Sequence, residues 1–318
     1  MNNNPIKKTL LFVREKRSRA RERERRERER EMEPCEKKIE KFLNSKYFRN
    51  KKFWIVDLVR YKRPVEKKRI EEYRSRLTKN CRIVMGSNVL HNLFKTSRGP
   101  WDEIFIVEYV NARDYVSRLG RGDYSSVFEA REIIAVSDPN FIREKMDFSN
   151  FKRTLEESWN ERRHNHFEDD MNQDIEPDLE SLTRMFSDKS KGWKRGKERP
   201  LWAINLLRFF RNNVDGRTTY YKYGQIAQNV ITSGTVKKKA LKGDGPIVAP
   251  SVAMTLLGPI EWDEFVVMGY ANLKSFMGLQ RNKAWQKAEE TYRKKGLLKQ
   301  GLLMVSPPSS RRDGVSHL

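Results

Sequence analysis

The stretch Phe53–Tyr61, with the sequence FWIVDLVRY, recurs later in the chain as LWAINLLRF at Leu201–Phe209. A second stretch, WDEIFIVEY at Trp101–Tyr109, recurs as WDEFVVMGY at Trp262–Tyr270. Both pairs keep the same order along the chain and the same placing of apolar and polar residues. Agreement in two separate blocks predicts that the chain contains two copies of one structural unit.

Each copy shows the same succession of predicted elements. An apolar run of strand length is followed by a polar helical segment, two further strands, a long amphipathic helix and a short fourth strand. This strand–helix–strand–strand–helix–strand order is the ferredoxin-like, or split βαβ, arrangement. In copy one these segments are 53–61, 66–77, 81–90, a strand from 101, 111–133 and 134–136, and in copy two 201–209, 219–229, 247–257, a strand from 262, 273–295 and 302–305.

A ferredoxin-like unit covers only one face of its sheet with helices, and an exposed apolar sheet face is unfavourable. The two bare faces are therefore predicted to pack together within one chain as a pseudo-dimeric α/β barrel. The predicted fold class is α+β, with two tandem ferredoxin-like units. The predicted domains are a helical or disordered Arg/Glu-rich extension at 1–48, repeat 1 at 49–140, a charged helical linker at 141–199, repeat 2 at 200–308 and a disordered tail at 309–318.

The composition describes a strongly basic chain. Its 318 residues include 66 lysines and arginines against 43 aspartates and glutamates, which gives a formal net charge of +23. The excess is spread over the N-terminal 50 residues and both repeats. No apolar run approaches the ~18 residues of a membrane span. The two cysteines, Cys35 and Cys81, favour a reducing compartment, so we expect an intracellular protein, cytoplasmic or nuclear, with a mitochondrial location left open.

The second copy carries a resemblance to a known group of proteins. The pattern Trp202-x-x-Asn205-Leu206-Leu207-Arg208-Phe209, together with WDE at 262–264 and LMVSP at 303–307, resembles the dimeric α/β-barrel superfamily. Within it, the tandem copies are most similar to a bacterial-type group of small domains of unknown function. The superfamily includes monooxygenases, haem-degrading enzymes, muconolactone isomerase and stress-responsive proteins. The resemblance therefore implies the fold, and it leaves the reaction open.

A polar residue in the first strand of each copy is a candidate ligand contact. Asp57 and Asn205 take equivalent positions in otherwise apolar runs, where a polar side chain needs a hydrogen-bond partner. If this face lines a cavity in the barrel, both residues would bind a carbonyl or hydroxyl group. The alternative, which we favour from the sequence, is a structural polar contact.

Two repeated arginines and two repeated tyrosines complete the candidate pocket. Arg60 and Arg208 stand at strand ends, where a guanidinium could clamp a carboxylate or phosphate. Tyr109 and Tyr270 end the third strands, with packing in the core as the alternative. For the arginines, a structural ion pair is the simpler explanation. The acids that could pair with them are Asp102, Glu103, Asp263 and Glu264.

Metal, cofactor and nucleophile patterns are weak. His164 and His166 stand two apart near an acidic run, a spacing that does not place both on one helix face, and an acidic linker is the better interpretation. We predict no metal site and no cofactor, and the scarcity of histidines argues against haem. The acid/base candidates that remain are Asp57, Glu103 and Glu264.

Three basic clusters are candidates for binding a polyanion. Basic residues with interleaved aromatics suit phosphate contacts with base stacking, and Trp193 lies within one cluster. The alternative is a solvated, charged surface. The clusters are Lys194, Arg195, Lys197 and Arg199; Lys237, Lys238, Lys239 and Lys242; and Arg293, Lys294 and Lys295.

Two classes of function follow from these observations. We favour a non-catalytic basic binding or scaffold protein that contacts RNA, a ribonucleoprotein or another acidic partner. This preference depends on the strong charge and on the lack of a recognisable catalytic constellation. The alternative is a small-molecule enzyme, oxygenase- or isomerase-like, with a pocket inside the barrel.

Overall fold

The structure of the protein is a computed structural model. It describes residues 34–79, 81–92, 100–119, 126–137, 156–161, 200–211, 215–233 and 245–306. In these ranges the strands are β1 (Phe53–Tyr61), β2 (Arg82–Asn92), β3 (Glu103–Tyr109), β4 (Phe128–Ser137), β5 (Leu201–Phe209), β6 (Gly245–Leu257), β7 (Glu264–Tyr270) and β8 (Leu297–Val305).

The helices cover the outside of these strands. They are α1 (Glu36–Asn44), α2 (Lys67–Thr78), α3 (Ala112–Val116), α4 (Gly216–Ser233), α5 (Leu273–Gln280), α6 (Lys283–Ala288) and α7 (Lys294–Gly296), with a π-helical turn at Glu289–Arg293. A further helical turn is described at 156–161. No helix in the described ranges is both long enough and apolar enough to cross a membrane.

The strands close into an antiparallel barrel in the order β1-β3-β2-β8-β5-β7-β6-β4. The first half, β1–β4, and the second half, β5–β8, each form one run of four neighbouring strands. The halves are joined where β2 pairs with β8 and where β4 pairs with β6. An α+β fold with a large antiparallel sheet, as expected from the sequence, is therefore confirmed.

The inside of the barrel is filled by apolar side chains. Because neighbouring residues of a strand point to opposite faces, Trp54, Val56 and Leu58 of β1 point inwards. Inward side chains from all eight strands belong to this one buried cluster, which includes Ile204 and Phe265 from the second half. The space between the two halves is therefore a packed core.

The outer face of each half forms a second layer of core under helices. In the first half, α1 contributes Phe42, and the turn after it contributes Phe48; both are completely buried. Their rings meet Phe53 of β1, with centroids 5.3 and 5.8 Å away. Residues up to 48 were predicted to form a charged extension, whereas the part from 34 onwards packs as an element of this core. The Arg/Glu-rich run at 14–31 lies outside the described residues.

One predicted helix is present only at its start, and its end is part of a strand. The segment 111–133 was expected to be helical, but α3 ends at Val116 and β4 already begins at Phe128. The segment from Phe128 pairs with β1 on one side and, from Ile133, with β6 on the other. These backbone hydrogen bonds come from strands far away in sequence, so the local periodicity did not reveal them.

The corresponding helix of the second half is present but divided. The predicted segment 273–295 becomes α5, α6, the π-helical turn and α7. Asn282 starts α6 because its side chain accepts hydrogen bonds from the backbone N–H groups of Ala284 and Trp285, at 2.9 and 3.2 Å. The strand that follows, β8, starts five residues earlier than the predicted 302–305. Within the predicted linker only 156–161 is described, and Trp159 packs there against Phe209.

Candidate functional site

A cleft of about 1350 Å³ opens on the outer side of the sheet in the second half of the barrel. Its floor is the outer face of β5, β7 and β8, and its walls come from α4, α5, α6, the π-helical turn and the 156–161 segment. The expectation of a pocket inside the barrel is therefore corrected, since that interior is packed with side chains. The lining includes Trp159, Asn205, Arg217, Tyr220, Tyr221, Tyr223, Tyr270, Phe276, Trp285, Glu289, Arg293 and Gln300.

The floor of the cleft carries a chain of buried polar side chains. Gln300 Nε2 donates to Asn205 Oδ1 at 2.8 Å, and Asn205 Nδ2 donates to the Ala203 carbonyl at 3.2 Å. Arg293 donates to Gln300 Oε1 through Nε and Nη2, at 3.1 and 2.8 Å. Each amide is thereby held in one orientation, because the guanidinium has donors only and selects the oxygen of Gln300.

The π-helical turn directs Arg293 towards this floor. The turn covers Glu289–Arg293, and its last residue is only 3% exposed. Arg293 Nη1 lies 3.4 Å from Glu289 Oε1. Single π-helical turns occur frequently at functional sites, because the inserted residue changes which side chains face inwards.

This position of Arg293 corrects the prediction that it belongs to a polyanion-binding surface. Its guanidinium is buried and bonded, so it is not presented to a polyanion. Its neighbour Lys294 forms an ion pair with Glu290 at 2.6 Å, and Lys295 is exposed. The other two basic clusters, at 194–199 and 237–242, lie outside the described residues.

A buried carboxylate stands behind one wall of the cleft. Glu264 accepts hydrogen bonds from Arg217 Nε at 2.6 Å and from the Tyr221 hydroxyl at 2.8 and 2.9 Å. Arg217 Nη2 also donates to the Tyr221 oxygen at 3.1 Å. Burial raises the pKa of Glu264 above its ordinary value, although Arg217 and Tyr221 oppose the shift. Burial likewise raises the pKa of Tyr221, so this phenol keeps its proton.

Aromatic rings form much of the remaining wall. Tyr223 meets Trp285 edge to face, with centroids 5.3 Å apart, and Tyr270 meets Phe276 in the same way at 5.1 Å. The indole N–H groups of Trp159 and Trp285 are buried and have no hydrogen-bond acceptor in the described part of the chain. Burial raises the pKa of the Tyr223 hydroxyl.

The first half places an ion pair where the second half has its amides. Asp57 is fully buried and accepts from Arg131 Nε at 3.0 Å and Arg131 Nη2 at 2.6 Å. The hydroxyl of Tyr73 also donates to Asp57. The Tyr73 ring packs on Phe128 at 4.7 Å and on Phe105 at 5.6 Å. Asp57 is thus held by protein groups and does not line the cleft.

One repeated arginine, Arg60, and the repeated acids have partners other than the expected ones. Arg60 pairs with Glu129 at 3.2 Å, rather than with the acids of the third strand. Asp102 instead accepts from the backbone N–H of Tyr61 at 2.8 Å and pairs with Arg63 at 3.2 Å.

The same contacts recur in the second half. Asp263 accepts from the N–H of Phe209 at 3.0 Å and pairs with Arg211. In the first half the other repeated acid, Glu103, pairs with Arg74 at 2.7 Å and accepts from Tyr61, and in the second half Glu264 has an arginine and a tyrosine as partners in the same way. The repeated acids therefore hold strand ends and helices in both halves.

Of the six predicted pocket residues, the structure brings Asn205 and Tyr270 together at the cleft. Tyr109 stacks on Phe53 in the core of the first half, with centroids 5.9 Å apart. Arg208 is not among the residues that line the cleft. The predicted acid/base candidate Glu264 lies behind it.

The most polar contacts of the cleft were not predicted from the sequence. Gln300 was outside the predicted fourth strand, and Arg293 was assigned to the surface. The tyrosines of α4 follow no site pattern in the sequence. All five were missed, although the tyrosines, three within four positions on one helix, gave a signal. The residues concerned are Tyr220, Tyr221, Tyr223, Arg293 and Gln300.

Comparison with known proteins gives few matches. No protein-family profile matches the chain, and no curated protein does so. Among solved structures, a protein of unknown function from Rhodopseudomonas palustris is 19% identical, with a TM-score of 0.33, over 43% of this chain and 99% of its own. A candidate monooxygenase from Lactobacillus acidophilus is 6% identical, with a TM-score of 0.36, over 80% of this chain and 93% of its own.

A further candidate monooxygenase, from Fusobacterium nucleatum, is 9% identical, with a TM-score of 0.34, over 80% of this chain and 92% of its own. The preference for a non-catalytic protein that contacts RNA, a ribonucleoprotein or another acidic partner is wrong. The two structures above are named as candidate monooxygenases, which is the class of the alternative, a small-molecule enzyme.

In the described ranges, no group of three or more histidine, cysteine, aspartate or glutamate side chains is arranged to hold a metal ion. His164 and His166 lie outside those ranges.

Proposed function

We propose that the protein is a small-molecule enzyme, oxygenase- or isomerase-like, whose site is the cleft over the second half of the barrel. The observation that carries this proposal is the buried chain Arg293–Gln300–Asn205 on the cleft floor. Polar groups at the bottom of a large, mostly apolar cleft are typical of ligand sites, because a small number of such groups is enough to fix the orientation of the bound molecule.

The polar chain is suited to hold an oxygen atom of a substrate. Arg293 and the amide groups are oriented by one another, so a bound oxygen would meet donors that need little rearrangement. Pre-oriented donors of this kind stabilise charge that develops on an oxygen during a reaction. The same donors would serve an oxygenase that stabilises a phenolate and an isomerase that stabilises an enolate.

The Tyr221–Glu264 pair would supply the proton transfer that either reaction needs. Tyr221 lines the cleft, and its hydroxyl donates to Glu264. Burial raises the pKa of Glu264 towards neutral pH, and a pKa closer to the working pH favours general acid/base catalysis. Tyr221 would contact the substrate, and Glu264 would position Tyr221 and exchange its proton.

We also propose that the two halves are fused ferredoxin-like units that form an intrachain pseudo-dimer. Their strand orders, β4-β1-β3-β2 and β8-β5-β7-β6, correspond element by element when β5–β8 replace β1–β4. Only the second unit would then be catalytic. In the first unit the equivalent polar position is closed by Asp57, Arg131 and Tyr73.

The experiment is a substrate screen on the full chain under air, with phenols, hydroquinones and unsaturated lactones, followed by mass spectrometry. A gain of one oxygen atom would identify an oxygenase, and an unchanged mass with altered retention would identify an isomerase. Arg293→Met should abolish turnover, whereas Arg60→Met in the first half should preserve it. Equal turnover by both variants would refute the placement of the site.

A further inference from the structure

We infer that the protein has a second ligand site, apart from the cleft, which binds the carboxylate group of a small organic anion. The site is a pocket of about 470 Å³. Its walls come from the end of α1 and the turn after it, the 156–161 segment, β6 and the residues that lead into β7. None of the described residues that line it also lines the cleft, so the inference does not depend on the proposed function.

The guanidinium of Arg211 is the group in this pocket that points to an anion. The side chain lines the pocket and is only 7% exposed. Its Nη2 donates to Asp263, and its Nε is buried without an acceptor in the described chain. Nη1 also has no acceptor among the described residues, but it is not enclosed as Nε is. Nη1 is therefore the donor that remains for a ligand, and the flat guanidinium matches the planar geometry of a carboxylate.

The equivalent pair in the first half shows that pairing alone does not require burial. Arg63 pairs with Asp102 at 3.2 Å, as Arg211 does with Asp263, yet the Arg63 side chain is 85% exposed. In the second half, the turn after α1 and the 156–161 segment line the same pocket as the arginine. Sheltering a guanidinium that still has a donor to offer is costly unless a bound group accepts from it. An oxygen of a ligand would supply that acceptor.

The charges of the pocket favour an anion with a single negative charge. Its lining cations are Lys41, Lys46 and Arg211, and its lining acids are Glu161 and Glu261. Both acids already have a cation of their own, Glu161 in Lys46 and Glu261 in Lys38, the latter at 2.7 Å. Lys41 is exposed and pairs with no acid in the part of the chain that the structure describes. A carboxylate brings one negative charge to balance it, whereas a phosphate monoester would bring about two.

Neutral groups of the same wall complete the site. Ser45 Oγ accepts from the backbone N–H of Tyr47 at 3.3 Å, and its own proton has no acceptor among the described residues. The Asn44 amide is exposed one residue earlier. Both side chains line the pocket and can donate to a carboxylate oxygen. Met254 and Trp262 add apolar lining, which suits the organic part of the ligand.

The test is a ligand-observed NMR titration of the full chain with three probes that share one ring. Benzoate carries the carboxylate, benzamide replaces it with a neutral group of similar shape, and phenyl phosphate carries about two negative charges at neutral pH. We expect benzoate to bind at least about tenfold more tightly than benzamide, a difference of ~1.4 kcal/mol, and more tightly than phenyl phosphate. Equal binding of benzamide, or no binding of benzoate at millimolar concentration, would overturn the inference. Tighter binding of phenyl phosphate would overturn the carboxylate as the ligand group.

Two variants show whether benzoate uses this pocket. Arg211→Lys keeps a positive charge beside Asp263 but removes the guanidinium donor, so it should weaken benzoate binding about tenfold. Its matched control is Arg63→Lys, in the exposed pair of the first half. Lys41→Met should weaken binding about fivefold, as expected for a partly exposed charge pair. Its control is Lys37→Met, which removes the same charge from an exposed position of α1 outside the pocket.

Thermal unfolding shows which variants keep the fold. If Arg211→Lys does not, Lys41→Met and Asn44→Trp decide, since the tryptophan would fill the pocket from its rim. Benzoate binding that survives both substitutions, or that Lys37→Met weakens as much as Lys41→Met, would overturn the inference. Loss of binding in Arg293→Met would place benzoate in the cleft, which overturns the second site and leaves the proposed function standing. Weakening in the pocket variants, with the controls close to the wild type, would support the inference.

Discussion

Gln300 donates its side-chain amide to Asn205 at 2.8 Å in the place where the first half of the barrel joins Arg131 to Asp57. The register is the same in both halves. In the first half, Arg131 of β4 lies opposite Val59, which is two residues from Asp57 in β1. In the second half, Gln300 of β8 lies opposite Leu207, which is two residues from Asn205 in β5. One half therefore has a buried ion pair and the other a neutral pair of amides at equivalent positions.

The buried ion pair makes the first half sensitive to the loss of one partner. Asp57→Asn should lower the free energy of unfolding by about 3–5 kcal/mol, because it leaves the Arg131 guanidinium buried without its counter-charge. Urea unfolding followed by circular dichroism measures this. The control is Arg60→Gln, which breaks the more exposed pair with Glu129 and should cost less than about 1 kcal/mol. Equal costs would contradict the assigned role of the pair.

Arg293 should matter for stability as well as for ligand binding. Arg293→Met leaves the buried Gln300 oxygen without the two donors that reach it, which should cost about 1–3 kcal/mol. Lys295→Met, two residues away and exposed, should stay within about 0.5 kcal/mol of the wild type. Thermal and urea unfolding of both variants would test this. A larger effect from Lys295 would show that the basic cluster acts as a surface unit.

Glu264 should make the stability depend on pH with a definite sign. Burial raises the pKa of the folded carboxyl above the ordinary value of 4.5, so above that pH the folded protein binds more protons than the unfolded chain. Its contribution to stability therefore falls as the pH rises from about 4.5 to the raised pKa. The difference in unfolding free energy between wild type and Glu264→Gln, measured across this window, should decrease with pH. A difference that stays flat, or increases, would contradict the direction of the shift.

A side chain at position 258, where the chain has Gly258, should lower the stability of the protein. Its φ of +138° suits glycine, and a Cβ there would lie 2.8 Å from Glu132 Cγ. Glu132 in turn accepts a hydrogen bond from the Trp262 indole at 2.7 Å. Gly258→Ala should therefore lower stability by about 1–3 kcal/mol and change the tryptophan fluorescence.

Gly278 provides the matched control for this substitution. It lies inside α5, and among the described residues no heavy atom comes within 4 Å of the position that a Cβ would occupy. Gly278→Ala should raise stability by roughly 0.5–1 kcal/mol, because alanine suits a helix interior better than glycine. If both substitutions destabilised the protein equally, the conformation assigned to Gly258 would be wrong.

The strands were the most predictable part of this fold. Strands β1 and β5 have the bounds that the apolar runs predicted, and the repeated WDE stretches lead into β3 and β7. Alternation of apolar and polar residues follows from strand geometry itself, so it is visible in the local sequence. The first part of β4 was misjudged as helix, because its strand state depends on pairing with β1 and, from Ile133, with β6.

The cleft was much less predictable than the strands. Asn205 was recognisable because a polar residue interrupts an apolar strand. Arg293 and Gln300 were not recognisable, since a basic residue in a charged helix and a glutamine near a lysine both look solvated in the sequence. Their burial follows from a π-helical turn that faces them towards each other and towards β5.

The amino-acid sequence alone determined the bounds of β1 and β5 and their apolar faces, because these depend on residues close together in the chain. Only the tertiary structure decided that the barrel interior is filled, that the cleft lies outside it, and that Arg293 is buried rather than presented on the surface. Burial and pairing depend on neighbours from distant segments. The same polar position of a strand could thus become a closed ion pair in one half and the floor of a cleft in the other.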